Sequence, residues 1–336
     1  MITCSPPRLE SEPWQQERAR AVTDPAELLR LLDLDSTHMP QVHMKGTGFP
    51  LRVPRYFVDL MRPGDPDDPL LAQVLPLAAE EQPVAGYLQD PVDDMAASRQ
   101  YGILKKYHGR ALLVTTGACA VHCRYCFRRH FPYSENSLLG HWRDALAMLN
   151  GLPDTNELIL SGGDPLSLSD ARIQQLLEET QKLPQLTRLR IHTRLPVVLP
   201  GRITTELVRL LSESRLQTVV VIHANHPREI TSALGRAMRE LASGGAMLLN
   251  QSVLLKSVND DADTLAELSE VLFGAGVMPY YLHLLDPVAG AARFEVPLVR
   301  AEQLLEALRL RLPGYLVPRV VRELPGEPYK TPLSHL

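Results

Sequence analysis

Three cysteines, Cys119, Cys123 and Cys126, fall within eight residues in the stretch CAVHCRYCF, and the only other cysteine is Cys4. Thiolates this close share a metal ion or an iron–sulfur cluster, and zinc and four-iron clusters both ordinarily take four ligands. The fourth ligand must therefore come from elsewhere. A zinc site would bring a second, separated ligand pair, and here His122 or His130 would have to serve from the same turn.

Two further stretches carry chemistry. SGGDP, Ser161 to Pro165, offers glycines that let backbone approach a ligand closely, followed by an acid suited either to a ligand or to a helix cap. LPGEPYKTP places Lys330 among turn residues, where a lysine is by default a solvated charge. The histidines of HANH, His223 and His226, with Asn225 between them, read as strand-end hydrogen bonders or pocket lining.

The elements that position these residues follow from pattern. The chain has 336 residues, 45% hydrophobic and 22% charged, and 35 basic against 39 acidic groups leave a net charge of -4. That is a globular composition with no bias toward polyanions, so nucleic acid is not expected as a partner. The first residues lack a signal-like pattern and no apolar run reaches a membrane span, so the expected location is the cytoplasm, without a membrane partner. Clustered cysteines plus one stray one fit a reducing compartment.

Thirteen of the 28 prolines fall before residue 92, which breaks residues 1–100 into short helices and turns. From Ala111 the strand candidates ALLVTT, ELILS, LRIHT, TVVVIHA, AMLLNQSVL and MPYYLHLL alternate with stretches of helical period. Thr204 is expected to cap one helix, and Gly244 and Gly274 to end others. Six βα units predict an α/β fold with a parallel sheet over 101–298, doubly wound or curled into a partial barrel, followed by a helix and tail over 299–336. Cys119, SGGDP and Asp286 follow strands, HTR and HANH end them, and Gln251 lies late in a strand. One pocket at the C-terminal ends of six strands favours the partial (β/α)6 barrel.

The spacing C-x3-C-x2-C, with Tyr125 before the last cysteine, resembles the radical S-adenosylmethionine (SAM) superfamily. The resemblance implies that the three thiolates hold three irons of a [4Fe-4S] cluster and that SAM chelates the fourth. It also implies that Gly162, Gly163 and Asp164 meet the methionine amino group of SAM. FPLRVPR, VTTGACAVHCRYCFRR, LSGGDPL, RLPVVLPGRIT, HANHPREIT, NQSVLLKSVND, PYYLHLLDP and PGEPYKTP extend the likeness to the lysine 2,3-aminomutase family, over about residues 45 to 333.

That likeness implies further roles, residue by residue. Lys330 would carry pyridoxal 5'-phosphate (PLP), Tyr107 and Arg110 would line its ring and phosphate, and Gln251 would lie beside both cofactors. Arg128 would hold the substrate carboxylate, and Asp286 with Glu323 the distal ammonium of lysine. The chain departs from the family pattern at Glu323, where an aspartate is usual, and at PGEPYK, where glycines are usual. It also stops six residues after Lys330, without the zinc-binding extension of longer members. The chemistry implied is hydrogen abstraction from the β-carbon of lysine by a 5'-deoxyadenosyl radical, with migration of the amino group from α to β.

Partners implied are an electron donor such as flavodoxin or ferredoxin, and a link to elongation factor P and its lysyl-transferring ligase. Rival readings are an aminomutase for another amino acid such as arginine, and a non-enzymatic iron–sulfur or zinc translation accessory protein. Glutamate fits poorly, because Asp286 and Glu323 would repel its distal carboxylate.

Overall fold

Chain order and spatial order coincide in a single ten-stranded sheet. The computed structural model describes residues 14–335 except 36, 38, 45–47, 139 and 140, and Cys4 lies outside the described residues. The strands are β1 (Ser98–Gln100), β2 (Ile103–Leu104), β3 (Arg110–Thr116), β4 (Glu157–Gly162), β5 (Arg188–Thr193), β6 (Gln217–Ile222), β7 (Met247–Val253), β8 (Met278–His283), β9 (Arg319–Arg322) and β10 (Thr331–Pro332). β3 to β9 run parallel, with antiparallel β1 and β2 on one edge and antiparallel β10 on the other.

Parallel neighbours in unbroken chain order require every crossover to advance in the same sense, which puts all the helices on one face. A doubly wound sheet would instead reverse its strand order partway. The sheet is therefore the curled, partial-barrel alternative, with its helices outside. The tail adds to it: β9 is a seventh parallel strand, drawn from the segment expected to be helix and tail only.

The crossover helices start where short polar side chains satisfy free backbone donors. The N–H groups of Arg172, Leu207, Leu234 and Thr264 donate to Ser169, Thr204, Thr231 and Asp261 at 3.4, 3.0, 3.1 and 2.8 Å. Each helix turns an apolar stripe inward: Leu176 and Leu177, then Leu207 and Leu211, then Leu234, Met238 and Leu241. These pack on Leu158, Leu160, Leu189, Ile191 and Val220 of the strands, and Leu28, Leu29, Phe57, Leu70 and Leu71 of the N-terminal segment join the same core. The N-terminal third therefore wraps the barrel without a separate core. Among the described residues no helix is long and apolar enough to cross a membrane.

Candidate active site

Strand residues two apart share a face, and the inward face of this sheet is polar. Arg110 on β3, Ser161 on β4, Arg190 and His192 on β5, Gln251 on β7, and Tyr281 and His283 on β8 all line one cavity of about 890 Å³. Each of the thirteen residues singled out from the sequence as a site residue borders this cavity as well.

The cysteine loop follows β3 and is held from behind. The N–H groups of His122 and Arg124 donate to Arg52 O and Gln73 O, both at 2.9 Å, and Arg124 Nε donates to the buried carboxylate of Glu80 at 3.0 Å. These contacts tie the residues between the cysteines to the N-terminal wrap. Cys126 N–H donates to Cys123 O at 3.0 Å, closing the turn, and Arg194 donates to Cys123 Sγ at 2.8 Å.

Burial, then the charges of Asp164 and the other two cysteines, push the Cys119 thiol well up; burial and Cys123 push Cys126 to about 11. Thiolates that repel each other this way need positive charge between them, which a metal cluster supplies. Among the described residues no trio of His, Cys, Asp or Glu converges on a single metal position. A cluster in which each thiolate takes its own iron does not require one.

The Gly-Gly-Asp turn has an internal reason for its composition. Gly162 has φ of +118°, and a Cβ there would lie 2.7 Å from Thr116 O; one on Gly163 would lie 2.6 Å from Ala118 O. The glycines thus let the turn after β4 press against the backbone leading to Cys119. The Asp164 carboxylate borders the cavity and is also bonded within the fold. Its Oδ1 accepts from Leu166 N at 3.0 Å and Thr193 Oγ1 at 2.7 Å. Its Oδ2 accepts from Arg194 N at 2.7 Å and Leu195 N at 2.9 Å. Four donors fill a carboxylate, so Asp164 latches β4 to the end of β5.

Lys330 sits in a hairpin. The antiparallel register pairs Thr331 with Arg322 and Pro332 with Val321, and continued by one residue it sets Lys330 opposite Glu323. Lys330 Nζ donates to Glu323 Oε2 at 2.5 Å, while Oε1 accepts from Lys106 Nζ at 2.9 Å. Lys106 Nζ also meets Asp94 Oδ1 at 2.6 Å, and Asp94 Oδ2 accepts from Arg128 Nε at 2.6 Å. Arg128 donates further to Ser161 Oγ at 2.9 Å. Five charges thus alternate in sign along one chain: Arg128, Asp94, Lys106, Glu323, Lys330.

Burial works to raise the Glu323 carboxyl, yet Lys330 and Lys106 hold it well below the usual carboxylate range. Asp94 is likewise lowered, against burial, by Arg128 and Lys106. Asp286 differs: burial pushes it up to about 7 despite Lys330, and its Oδ1 has no hydrogen-bond partner among the described residues. The two acids expected to act as a matched pair are therefore one firm anion and one carboxyl titrating near neutrality. Burial first, then the Arg190 and Lys330 charges respectively, keep His192 and His283 neutral.

At the N-terminal end of β3, the Arg110 guanidinium lies 5.1 Å from the Tyr107 ring centre, and burial, then the charge of Glu323, raises the Tyr107 phenol. Arg190, bonded to Glu157 at 3.1 and 2.6 Å, adds a second cation low in the barrel. The cavity therefore runs beyond the strand ends into the barrel. Of the HANH polar groups only His223 lines it. Asn225 stands behind, donating to Gln73 at 3.0 Å and Tyr125 at 2.7 Å, and His226 caps the turn Pro227–Glu229.

No family model matches the chain. Among curated proteins, the L-lysine 2,3-aminomutase of Escherichia coli (strain K12) is 48% identical over 99% of this chain and 97% of its own length. That of Haemophilus influenzae is 46% identical over 96% of both chains, and that of Clostridium subterminale is 34% identical over 95% of this chain and 77% of its own. A radical SAM methyltransferase from Sphaerobacter thermophilus is a more distant likeness in structure, with a TM-score of 0.47 and 20% identity, covering 66% of this chain and 68% of the other.

Proposed function

This chain belongs to the lysine 2,3-aminomutase family, isomerases of the radical SAM type, and on that premise we propose that it converts L-α-lysine to β-lysine in a PLP-dependent reaction. The family works with a [4Fe-4S] cluster, SAM and PLP, which when bound supply a hydrogen-abstracting 5'-deoxyadenosyl radical and a carbonyl that carries the migrating nitrogen. The observation that carries the proposal is that Cys119, Cys123 and Cys126 open onto the same cavity as Lys330. A radical source and a carbonyl-binding amine have use for one chamber only if they act on one substrate.

The residues fit these groups. The three half-buried thiols would hold the cluster. Lys330 would hold PLP through Nζ, with Tyr107 along the ring and Arg110 at the phosphate, low in the barrel beside Arg190. Gln251 lines the chamber from β7. Arg128 is oriented by Asp94 and Ser161, which leaves the rest of its five N–H donors for an α-carboxylate. Asp286 and Glu323 would take the distal ammonium. Leu112, Ile159, Leu195, Val198 and Leu285 supply apolar wall, which excludes water from a reactive primary radical.

The product would serve modification of elongation factor P, with a flavodoxin- or ferredoxin-type donor reducing the cluster; support for both is the resemblance to short family members. Anaerobic incubation with L-lysine, SAM, PLP and a reductant, followed by chromatographic separation of α- and β-lysine, tests the activity. Formation of β-lysine is expected, and its absence from protein with full iron and PLP content would overturn the proposal.

A further inference from the structure

Lys106 was not among the residues singled out in the sequence, yet all three of its ammonium protons are committed. They go to Val92 O at 2.7 Å, Asp94 Oδ1 at 2.6 Å and Glu323 Oε1 at 2.9 Å. Two of these partners belong to the N-terminal wrap, so the ammonium is fixed from the side opposite the hairpin. Glu323 is shared: one oxygen belongs to Lys106 and the other to Lys330. Lys330 is the only one of the two whose amine the proposed reaction must use for something else.

We propose that Lys106 is a positioning residue for the distal cation of the substrate, holding Glu323 by Oε1 so that Oε2 receives that cation when the Lys330 amine is otherwise engaged. The inference rests on the lysine aminomutase reading above. A carboxylate this enclosed, deprived of its counter-charge, takes up a proton or turns toward solvent. Lys106 removes both options, because its hold on Glu323 does not depend on the state of Lys330.

The charge count gives the consequence for specificity. Arg128 cancels Asp94 and Lys106 cancels Glu323, which leaves Asp286 as the one acid without a fixed counter-ion among these groups. A distal positive charge on the substrate supplies that missing counter-ion. A neutral or anionic end does not.

Equilibrium binding separates this role from a structural one. The PLP-loaded, cluster-containing protein, without SAM or reductant, is titrated with L-lysine and with L-norleucine, which has the same carbon chain and no distal ammonium, and the PLP absorbance is followed. Wild type is expected to prefer lysine by about 10-fold or more. Lys106→Met should cut that preference about 10-fold while norleucine affinity stays within about 2-fold, and Lys106→Arg should restore most of it. Glu323→Gln should match Lys106→Met, and the double variant should be no worse than either alone, since contacting residues that act through one another are not additive.

A Lys106→Met protein that keeps the wild-type lysine-to-norleucine ratio overturns the inference, as does full additivity in the double variant. A wild type with no preference overturns the lysine reading itself. Should Lys106→Met fail to load PLP, Lys106→Gln, which keeps donors without charge, is used with the same expected ratio.

Discussion

Glu323 and Lys330 face each other across the β9–β10 hairpin, ammonium to carboxylate at 2.5 Å. Their seven-residue spacing in the sequence follows from that geometry: the loop Leu324 to Tyr329 turns the chain, with Gly326 at φ of +79°, and returns Lys330 to the position opposite the acid. Pro325 and Pro328 in this loop restrict the backbone further.

Lys330→Ala should leave iron content and SAM binding intact while abolishing both lysine isomerisation and the borohydride-trapped pyridoxyl adduct. Peptide mapping of reduced wild-type protein checks the assignment, and a pyridoxyl group on another lysine contradicts it.

Loss of any one of Cys119, Cys123 or Cys126 to serine should prevent assembly of a four-iron cluster, read from iron content and from the anaerobic visible spectrum. Cys4→Ser is expected to retain both. A Cys4 variant that loses its iron would mean that the three-thiolate set is incomplete.

Asp286 carries a pH signature. Its carboxyl is raised by burial from an unfolded value of about 3.9 to about 7, so the folded state holds the proton more tightly. Stability of the ligand-free protein should therefore fall as pH rises from about 4 to about 7, by a ceiling of roughly 4 kcal/mol, and then level off. Asp286→Asn should lack this fall, showing a higher urea midpoint than wild type at pH 8 and a narrowing gap toward pH 4. Lysine binding should show the reverse dependence in wild type, strengthening as pH rises through about 7 and Asp286 ionises, and should be weakened in the variant.

Asp94→Asn removes the anion that orients Arg128. Hydrogen bonds to charged groups contribute about 1.5–3 kcal/mol, so lysine KM should rise by roughly 10- to 100-fold. Cadaverine, which lacks the α-carboxylate, should lose less, only the share that passes through the Asp94–Lys106 contact; an equal loss for both would point to a general distortion of the chamber.

Gly163→Ala places a methyl group 2.6 Å from Ala118 O. Backbone cannot yield there without moving the loop that carries Cys119. Reduced cluster occupancy is expected at unchanged PLP loading, with iron and PLP measured on the same sample.

Much of this arrangement was legible in the sequence because it is local. Six parallel strands announced themselves as β-branched or apolar runs, and polar residues just after them named most of the chamber. β9 did not, because RVVR is short, flanked by Pro318 and Glu323, and ends a stretch dominated by a helix. Asp94 lies in the acidic run DPVDD and Lys106 in the pair Lys105–Lys106, where a neighbouring like charge disguises the buried one. Their partners lie 34 and 217 residues away, a distance at which no periodic pattern reports contact. Asp164 shows the converse, since its recognisable turn gave no sign of the four bonds it accepts within the fold.

The sheet whose spatial order repeats chain order also sets a schedule of assembly. Each strand leaving the ribosome finds its neighbour already made, so the barrel can grow from one edge without waiting for distant pieces. Cys119, Cys123 and Cys126 arrive with the first parallel strand, whereas Glu323 and Lys330 arrive with the last two strands. In chain order the three thiols thus precede the strands that complete the chamber, and the Lys330 amine comes last.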